Sequence, residues 1–392
     1  MKRIAPLAVV VVLCACGSGT AAGSSPSPSL QTSPTATITA TQPSAESPLP
    51  SASPDPLIHA LRLLYRTYDG NNYGLAAGNA DGTDVIGLSG PSFAHPDLIR
   101  FTESRNRRWA AWSDGGHLWF AASVRLAAAQ TLTASSKPIS VLAVSDDGDT
   151  VAYEVLTETG PEAFAGELYS VHVHDRSIKL LRNLTGPFIT CLGSGAFDEL
   201  AQRLIGIGCG AGQAAGLLLL NAVDGSVISE DDGFSAWPDQ WAFSRDLRAV
   251  WLIVDGTTEA DVVHYDTTTR ARQVLYRSPV WKQSDGSAAP NLLGPVLLAP
   301  DESVVVFGRF TQDHSPEVNA LPSGGGNAII IFKDGDFGLE SWSPDGGYVA
   351  VSVGSSTPSQ RMRLINPRTK SASAVTTAGG YVAFLGWIAG SS

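Results

Sequence analysis

From residue 57 onward the chain is a succession of short apolar runs separated by polar turns, and helical spacing of apolar positions is missing almost everywhere. Six of the runs, at 109–112, 151–155, 203–207, 249–254, 304–307 and 348–351, are almost continuously apolar. That is the pattern of a strand covered on both faces. A tight turn precedes each of them. The fullest copy is Ser343-Pro344-Asp345-Gly346. Proline presets φ at the second turn position, aspartate bonds backbone two residues on, and glycine supplies a positive φ.

Matching turns stand at Ser145-Asp146-Asp147-Gly148, Ser244-Arg245-Asp246-Leu247 and Ala299-Pro300-Asp301-Glu302. Weaker copies are Thr102-Glu103-Ser104-Arg105 and Phe197-Asp198-Glu199-Leu200. Aligned on the third turn position, the copies are 43, 52, 47, 55 and 44 residues apart. A third strand follows in most repeats (168–173, 216–221, 262–266, 364–366), and then a short fourth (178–181, 273–276). Four antiparallel strands at such a period describe a blade of a β-propeller. Glycine is absent at Arg105, Leu200, Leu247 and Glu302, which predicts a change of turn type there.

The Ser-Pro-Asp-Gly turn, the strand after it, and Asn79-Ala80-Asp81-Gly82-Thr83 together resemble the TolB-like β-propeller repeats of bacterial envelope proteins. The resemblance covers residues 57–392. It implies the fold and, by analogy of fold, protein–protein interaction in the envelope. A seventh second strand is expected at 61–66. Trp387, in the run Tyr381-Val382-Ala383-Phe384-Leu385-Gly386-Trp387, falls where a further innermost strand is due. Pairing this last strand with the N-terminal strands closes the ring and removes a free edge. The expected fold is therefore all-β, one propeller of seven four-stranded blades, with six as the alternative.

Two of the four cysteines, Cys191 and Cys209, lie inside this region. Their midpoint is residue 200, where the repeats independently place a turn, so the two are expected to face each other across a hairpin. A disulfide is predicted, the alternative being two buried thiols.

The N-terminus changes the picture of where the domain works. Lys2 and Arg3 precede an apolar run ending in Cys14, Ala15 and Cys16, a secretory signal over 1–15. Leu13-Cys14-Ala15-Cys16 also resembles a bacterial lipobox, which implies cleavage before Cys16 and a diacylglycerol on its sulfur. Residues 16–56 are almost all Ser, Thr, Pro, Ala and Gly. Such a tether cannot bury enough apolar surface to order itself, and as flexible coil it reaches about 35 Å. The expected address is the extracytoplasmic side of the cell membrane, with the propeller domain at 57–392. Losing Lys2 and Arg3 with the signal takes the net charge from −11 to −13. With no basic stripe, nucleic acid is not expected as a partner.

Candidate chemistry is thin. Gly206-Ile207-Gly208-Cys209-Gly210-Ala211-Gly212 lacks the spacing and the following helix of a dinucleotide loop. His172, His174 and Asp175 offer no third metal ligand with His spacing, and acidic turns such as Asp146-Asp147-Gly148-Asp149 lack the calcium-loop pattern. No G-x-S-x-G elbow occurs. No catalytic residue, metal or cofactor is therefore assigned.

Loop length supplies the remaining signal. The first-to-second-strand turns are short, whereas the opposite end is expected to carry long loops at 157–166, 229–240, 277–291 and 309–327. Functional residues concentrate on such loops. Trp237, Trp281 and Phe310, with Asp231, Asp232, Glu162 and His314 nearby, form the predicted partner surface. Aromatics there suit protein or glycan contacts. The expected function is a monomeric, lipid-anchored binding or scaffold module for an envelope protein or cell-wall component. The alternative is an enzyme or carbohydrate-binding protein with its site at the mouth of the central channel.

Overall fold

The computed structural model describes residues 61–68, 73–80, 82–88, 100–160, 163–185, 189–209, 215–234, 241–255, 259–282, 288–289, 291–311, 315–333, 337–354, 361–375 and 380–388. Strands β1 (Arg62–Tyr68), β2 (Tyr73–Asn79) and β3 (Ile86–Leu88) belong to blade 1. Blade 2 is β4 (Arg100–Glu103), β5 (Trp109–Ser113), β6 (His117–Ala122) and β7 (Gln130–Ala134). Blade 3 is β8 (Ile139–Val144), β9 (Thr150–Gly160), β10 (Ala163–His172) and β11 (Ile178–Leu184). Blade 4 is β12 (Cys191–Phe197), β13 (Arg203–Cys209), β14 (Ala215–Asn221) and β15 (Val227–Phe234). Blade 5 is β16 (Trp241–Phe243), β17 (Ala249–Asp255), β18 (Glu259–Asp266) and β19 (Arg272–Pro279).

A two-stranded ladder, β20 (Trp281–Lys282) with β21 (Ala288–Ala289), separates blades 5 and 6. Blade 6 is β22 (Leu292–Leu298), β23 (Val304–Phe310), β24 (Pro316–Pro322) and β25 (Ile329–Phe332). Blade 7 is β26 (Phe337–Trp342), β27 (Val349–Val353), β28 (Arg361–Asn366) and β29 (Ser371–Ala374). The last strand, β30 (Gly380–Ile388), pairs antiparallel with β1 and completes blade 1 in the order β3-β2-β1-β30. Seven four-stranded antiparallel blades and closure by the C-terminal strand are as the sequence predicts.

Each blade's second strand is apolar on both sides because both sides are covered. Leu142, Leu168, Leu181 and Leu184 of blade 3 pack on Leu192, Phe197, Leu204, Leu218 and Leu220 of blade 4. At the closure, Leu63, Tyr65 and Trp387 of blade 1 pack on Tyr348, Ala350 and Leu364 of blade 7. The core is thus a series of layers between blades, and each blade is stable only against its neighbours.

The turns explain the repeat chemically. In blades 2, 3, 5 and 7 a buried serine hydroxyl donates to the Asn or Asp two residues on: Ser104 to Asn106 at 2.8 Å, Ser145 to Asp147 at 2.5 Å, Ser244 to Asp246 at 2.9 Å and Ser343 to Asp345 at 2.6 Å. The same hydroxyl accepts the N–H that opens the next strand, from Trp109, Thr150, Ala249 and Tyr348 respectively. In blade 4 Asp198 does both jobs, accepting from the N–H groups of Gln202 and Arg203. These bonds place the true copies at Ser104-Arg105-Asn106-Arg107 and Asp198-Glu199-Leu200-Ala201, two residues and one residue later than the sequence alignment has them.

The expected change of turn type does not occur. The fourth position has positive φ in six blades: Arg107 58°, Gly148 78°, Ala201 53°, Leu247 56°, Glu302 60° and Gly346 72°. A single left-handed non-glycine residue costs about 1–2 kcal/mol. In each of these six turns the N–H of the fourth residue donates to the carbonyl of the first, which holds the backbone there with or without glycine.

The predicted long loops are also shorter than expected. Strands β9 and β10 run through most of 157–166, β15 extends to Phe234, β24 lies within 309–327, and β20 and β21 occupy part of 277–291. Alternating polar residues on outer strands look like loop in sequence, because one face of such a strand meets solvent.

Candidate functional site

In blades 2, 3, 5 and 7 three of the four turn positions are committed to geometry, the first and third by hydrogen bonds and the fourth by its left-handed backbone. The second is left to face the axis. The six second-position residues, Arg105, Asp146, Glu199, Arg245, Pro300 and Pro344, all line one cavity of about 390 Å³ at the short-turn end of the channel. Its apolar wall is Phe243, Val296, Leu297, Leu298 and Trp342. This cavity lies opposite the end where the sequence placed function.

The charges at this mouth are cross-linked from blade to blade. Asn106 donates its backbone N–H to the Asp146 carboxylate at 3.0 Å and its side-chain amide to the Asp146 carbonyl at 2.6 Å. The Arg245 backbone N–H donates to Glu302, its guanidinium donates to the Pro300 carbonyl, and Glu199 lies 4.0 Å from it on the other side. Arg107 pairs with Glu103 and donates to the Ser341 hydroxyl at 3.1 Å. Arg105 reaches furthest: its Nη1 donates to the carbonyl of Ser244 at 2.8 Å, from blade 2 to blade 5. Burial holds the Arg105 pKa below the usual arginine value, although Asp146, Glu302 and Glu199 pull it upward.

Glu103 sits just behind the mouth. Its carboxylate accepts the Trp387 N–H at 3.2 Å, so one residue of blade 2 grips the closing strand β30. Burial pushes its pKa up to about 6, against the downward pull of Arg107 and of the Trp387 N–H.

Sequence reading missed this site because a second turn position that faces the axis looks like any exposed turn residue. Charged residues recurring at that position, Arg105, Asp146, Glu199 and Arg245, were the available signal.

Of the residues predicted at the opposite end, Glu162, Trp237 and His314 lie outside the described residues, as does Cys16. Trp281 is in β20, opposite Ala289 of β21, and Asp232 is in β15. Phe310 ends β23 opposite Pro316, and its N–H donates to the Asn291 carbonyl at 2.8 Å, next to the β20–β21 ladder. Asp231 is engaged between blades: it accepts from the Tyr265 hydroxyl at 2.9 Å and lies 3.8 Å from Arg272. Cys191 and Cys209 are direct partners in the β12–β13 register. Among the described residues no cluster of three His, Cys, Asp or Glu side chains is placed to hold a metal ion.

No protein-family model and no curated protein matches the chain. Solved structures do. An oligogalacturonate lyase in complex with manganese superposes with a TM-score of 0.58 at 11% identity, over 78% of this chain and 86% of that one. An oligogalacturonate lyase from Vibrio parahaemolyticus gives 0.53 at 11% identity, over 74% and 88%. TolB from Acinetobacter baumannii gives 0.45 at 13% identity, over 82% and 81%. The likeness to the lyases is one of fold, and a propeller fold hosts unrelated functions.

Proposed function

We propose that the protein is a lipid-anchored β-propeller of the cell envelope that works as a binding module. Cys16 carries the lipid, residues 16–56 are the tether, and the propeller engages an envelope protein or cell-wall component through the end opposite the short turns. The observation that carries this reading is the β20–β21 ladder, an addition that the four-stranded blades do not need. Trp281 in that connection between blades 5 and 6, and Phe310 at the end of β23, whose N–H donates to Asn291 just after the ladder, support the reading as two aromatic residues at one end of a rigid scaffold. Aromatic anchors carry a large share of binding energy at protein and glycan interfaces. Export to an oxidising compartment would join Cys191 to Cys209 across the β12–β13 hairpin.

The test is recovery of partners from solubilised envelope by the full chain, compared with the Trp237→Ala, Trp281→Ala, Phe310→Ala triple variant. Loss of a wild-type partner is expected, and unchanged recovery overturns this face. Labelled fatty acid should enter the wild type and not Cys16→Ser; equal labelling of both overturns the anchor.

A further inference from the structure

Among the described guanidinium groups that line the channel mouth, Arg105 is the one with no carboxylate at ion-pair distance, although Asp146, Glu302 and Glu199 act on it from further away. Arg107 has Glu103, and Arg245 has Glu199. Arg105 uses Nη1 on the Ser244 carbonyl, and its Nη2 is buried with no hydrogen-bond partner among the described residues. A buried guanidinium N–H left without a partner is costly, and a guanidinium offers a planar fork of donors that matches a carboxylate. Beside it the cavity wall is apolar, formed by Phe243, Val296, Leu297 and Trp342. A volume of about 390 Å³ is in the range of small-molecule sites. The rim carries Asp146, Glu199 and Glu302, which repel a ligand of high negative charge.

We propose that the short-turn mouth binds a small monocarboxylate with an apolar body, its carboxylate at the Arg105 guanidinium and its body against Val296, Leu297 and Trp342. The inference deepens the binding-module reading by giving the scaffold a small ligand at the end away from the macromolecular partner. It rests on that reading only in treating the mouth as a surface that binds rather than reacts.

The probe is benzoate, with benzamide as its neutral analogue and inorganic phosphate as the competing anion. Calorimetric titration and thermal unfolding of the full chain should show saturable benzoate binding and a raised midpoint. Arg105→Gln should weaken binding about tenfold or more, and Arg105→Lys should restore part of it. Arg105→Gln also loses the Ser244 bond and could unfold the mouth. Anomalous scattering from 4-bromobenzoate in wild-type crystals therefore locates the site without a variant, and bromine beside Val296 and Trp342 is expected. Each of the following overturns the proposal: no saturable benzoate binding, equal affinity in Arg105→Gln, benzamide binding as well as benzoate, phosphate binding better than benzoate, or bromine elsewhere. Because the partner-recovery assay reads the opposite end, captured partner without benzoate binding refutes this inference alone, and benzoate binding without captured partner refutes the other alone.

Discussion

The carboxylate of Glu154 fills the space that a side chain on Gly166 would need. A Cβ on Gly166 would lie 1.8 Å from Glu154 Oε1. From β9 of blade 3 this carboxylate crosses to blade 4 and accepts the N–H of Leu192, at 3.1 and 3.2 Å to its two oxygens. Leu192 borders a register shift in β12, where the ladder with β13 is interrupted. Gly166→Ala should push the carboxylate off Leu192 and cost about 1–3 kcal/mol in chemical denaturation, the penalty for leaving a buried polar group unsatisfied. In a Glu154→Ala background the same change should cost clearly less. Additive effects would count against the relationship.

Buried carboxylates should make stability fall as pH rises. Burial pushes Glu154 up to about 8 despite the Leu192 bond, Glu340 up to about 7 despite the Ser352 bond, and Glu103 up to about 6. A raised folded-state pKa means that the native state holds the proton more tightly than the unfolded chain. The contribution is therefore fully present below the unfolded value near 4.5 and is lost as pH climbs through the folded values. Thermal midpoints should decline between about pH 5 and 8 at constant ionic strength. Glu154→Gln should flatten the upper part of that decline, and an unchanged profile would refute the assignment to Glu154.

Two glycines at the same turn position should respond differently to alanine. Gly148 and Gly346 both have positive φ, 78° and 72°. Alanine at either should cost about 1 kcal/mol for the left-handed backbone. At Gly346 the nearest atom to a new Cβ is Pro300 Cδ at 3.5 Å, an ordinary contact. At Gly148 the Cβ would lie 2.4–2.6 Å from the Trp109 indole, which is stacked on Phe120. Gly148→Ala should therefore lose roughly 1–3 kcal/mol more than Gly346→Ala, measured by urea unfolding.

The Glu103 carboxylate should govern the ring closure. It joins Arg107 of its own blade to the Trp387 N–H of β30, and Arg107 goes on to Ser341 of blade 7. Glu103→Ala should speed hydrogen exchange in β30 and its partner β1 while leaving blades 4 and 5 near wild type. A uniform acceleration across all blades would show global destabilisation instead of local opening.

The β12–β13 register makes a further prediction for the exported protein. With Cys191 opposite Cys209, the intact mass should rise by one pair of hydrogens on reduction. The bond should stabilise by about 3 kcal/mol in the chain-entropy account, and two free thiols before reduction would refute it.

The blades were legible because their signals are local. Ser343 and Asp345 bond within their own turn, and the strand after them is apolar because both its faces are covered. Closure was legible too, since Trp387 continues a spacing that any single blade sets. Where the local signal weakens, as at Ser104 and Asp198, the reading slipped by one or two residues, because asparagine for aspartate and aspartate for serine keep the bonds while changing the letters.

Sequence by itself determined the period and the strand order within a blade, since these follow from hydrogen bonds and apolar patterns within about fifty residues of chain; seven blades and a closing strand were its expectation, which the pairing of Arg62 with Ile388 across the whole chain bears out. Tertiary structure alone decided what stands at the axis. Arg105 meets a carbonyl 139 residues away, and Glu154 meets a backbone N–H 38 residues away. A ring brings equivalent turn positions of six blades to one point. A residue that reads as solvent-exposed in each repeat therefore becomes part of a shared, partly buried site once the circle is complete.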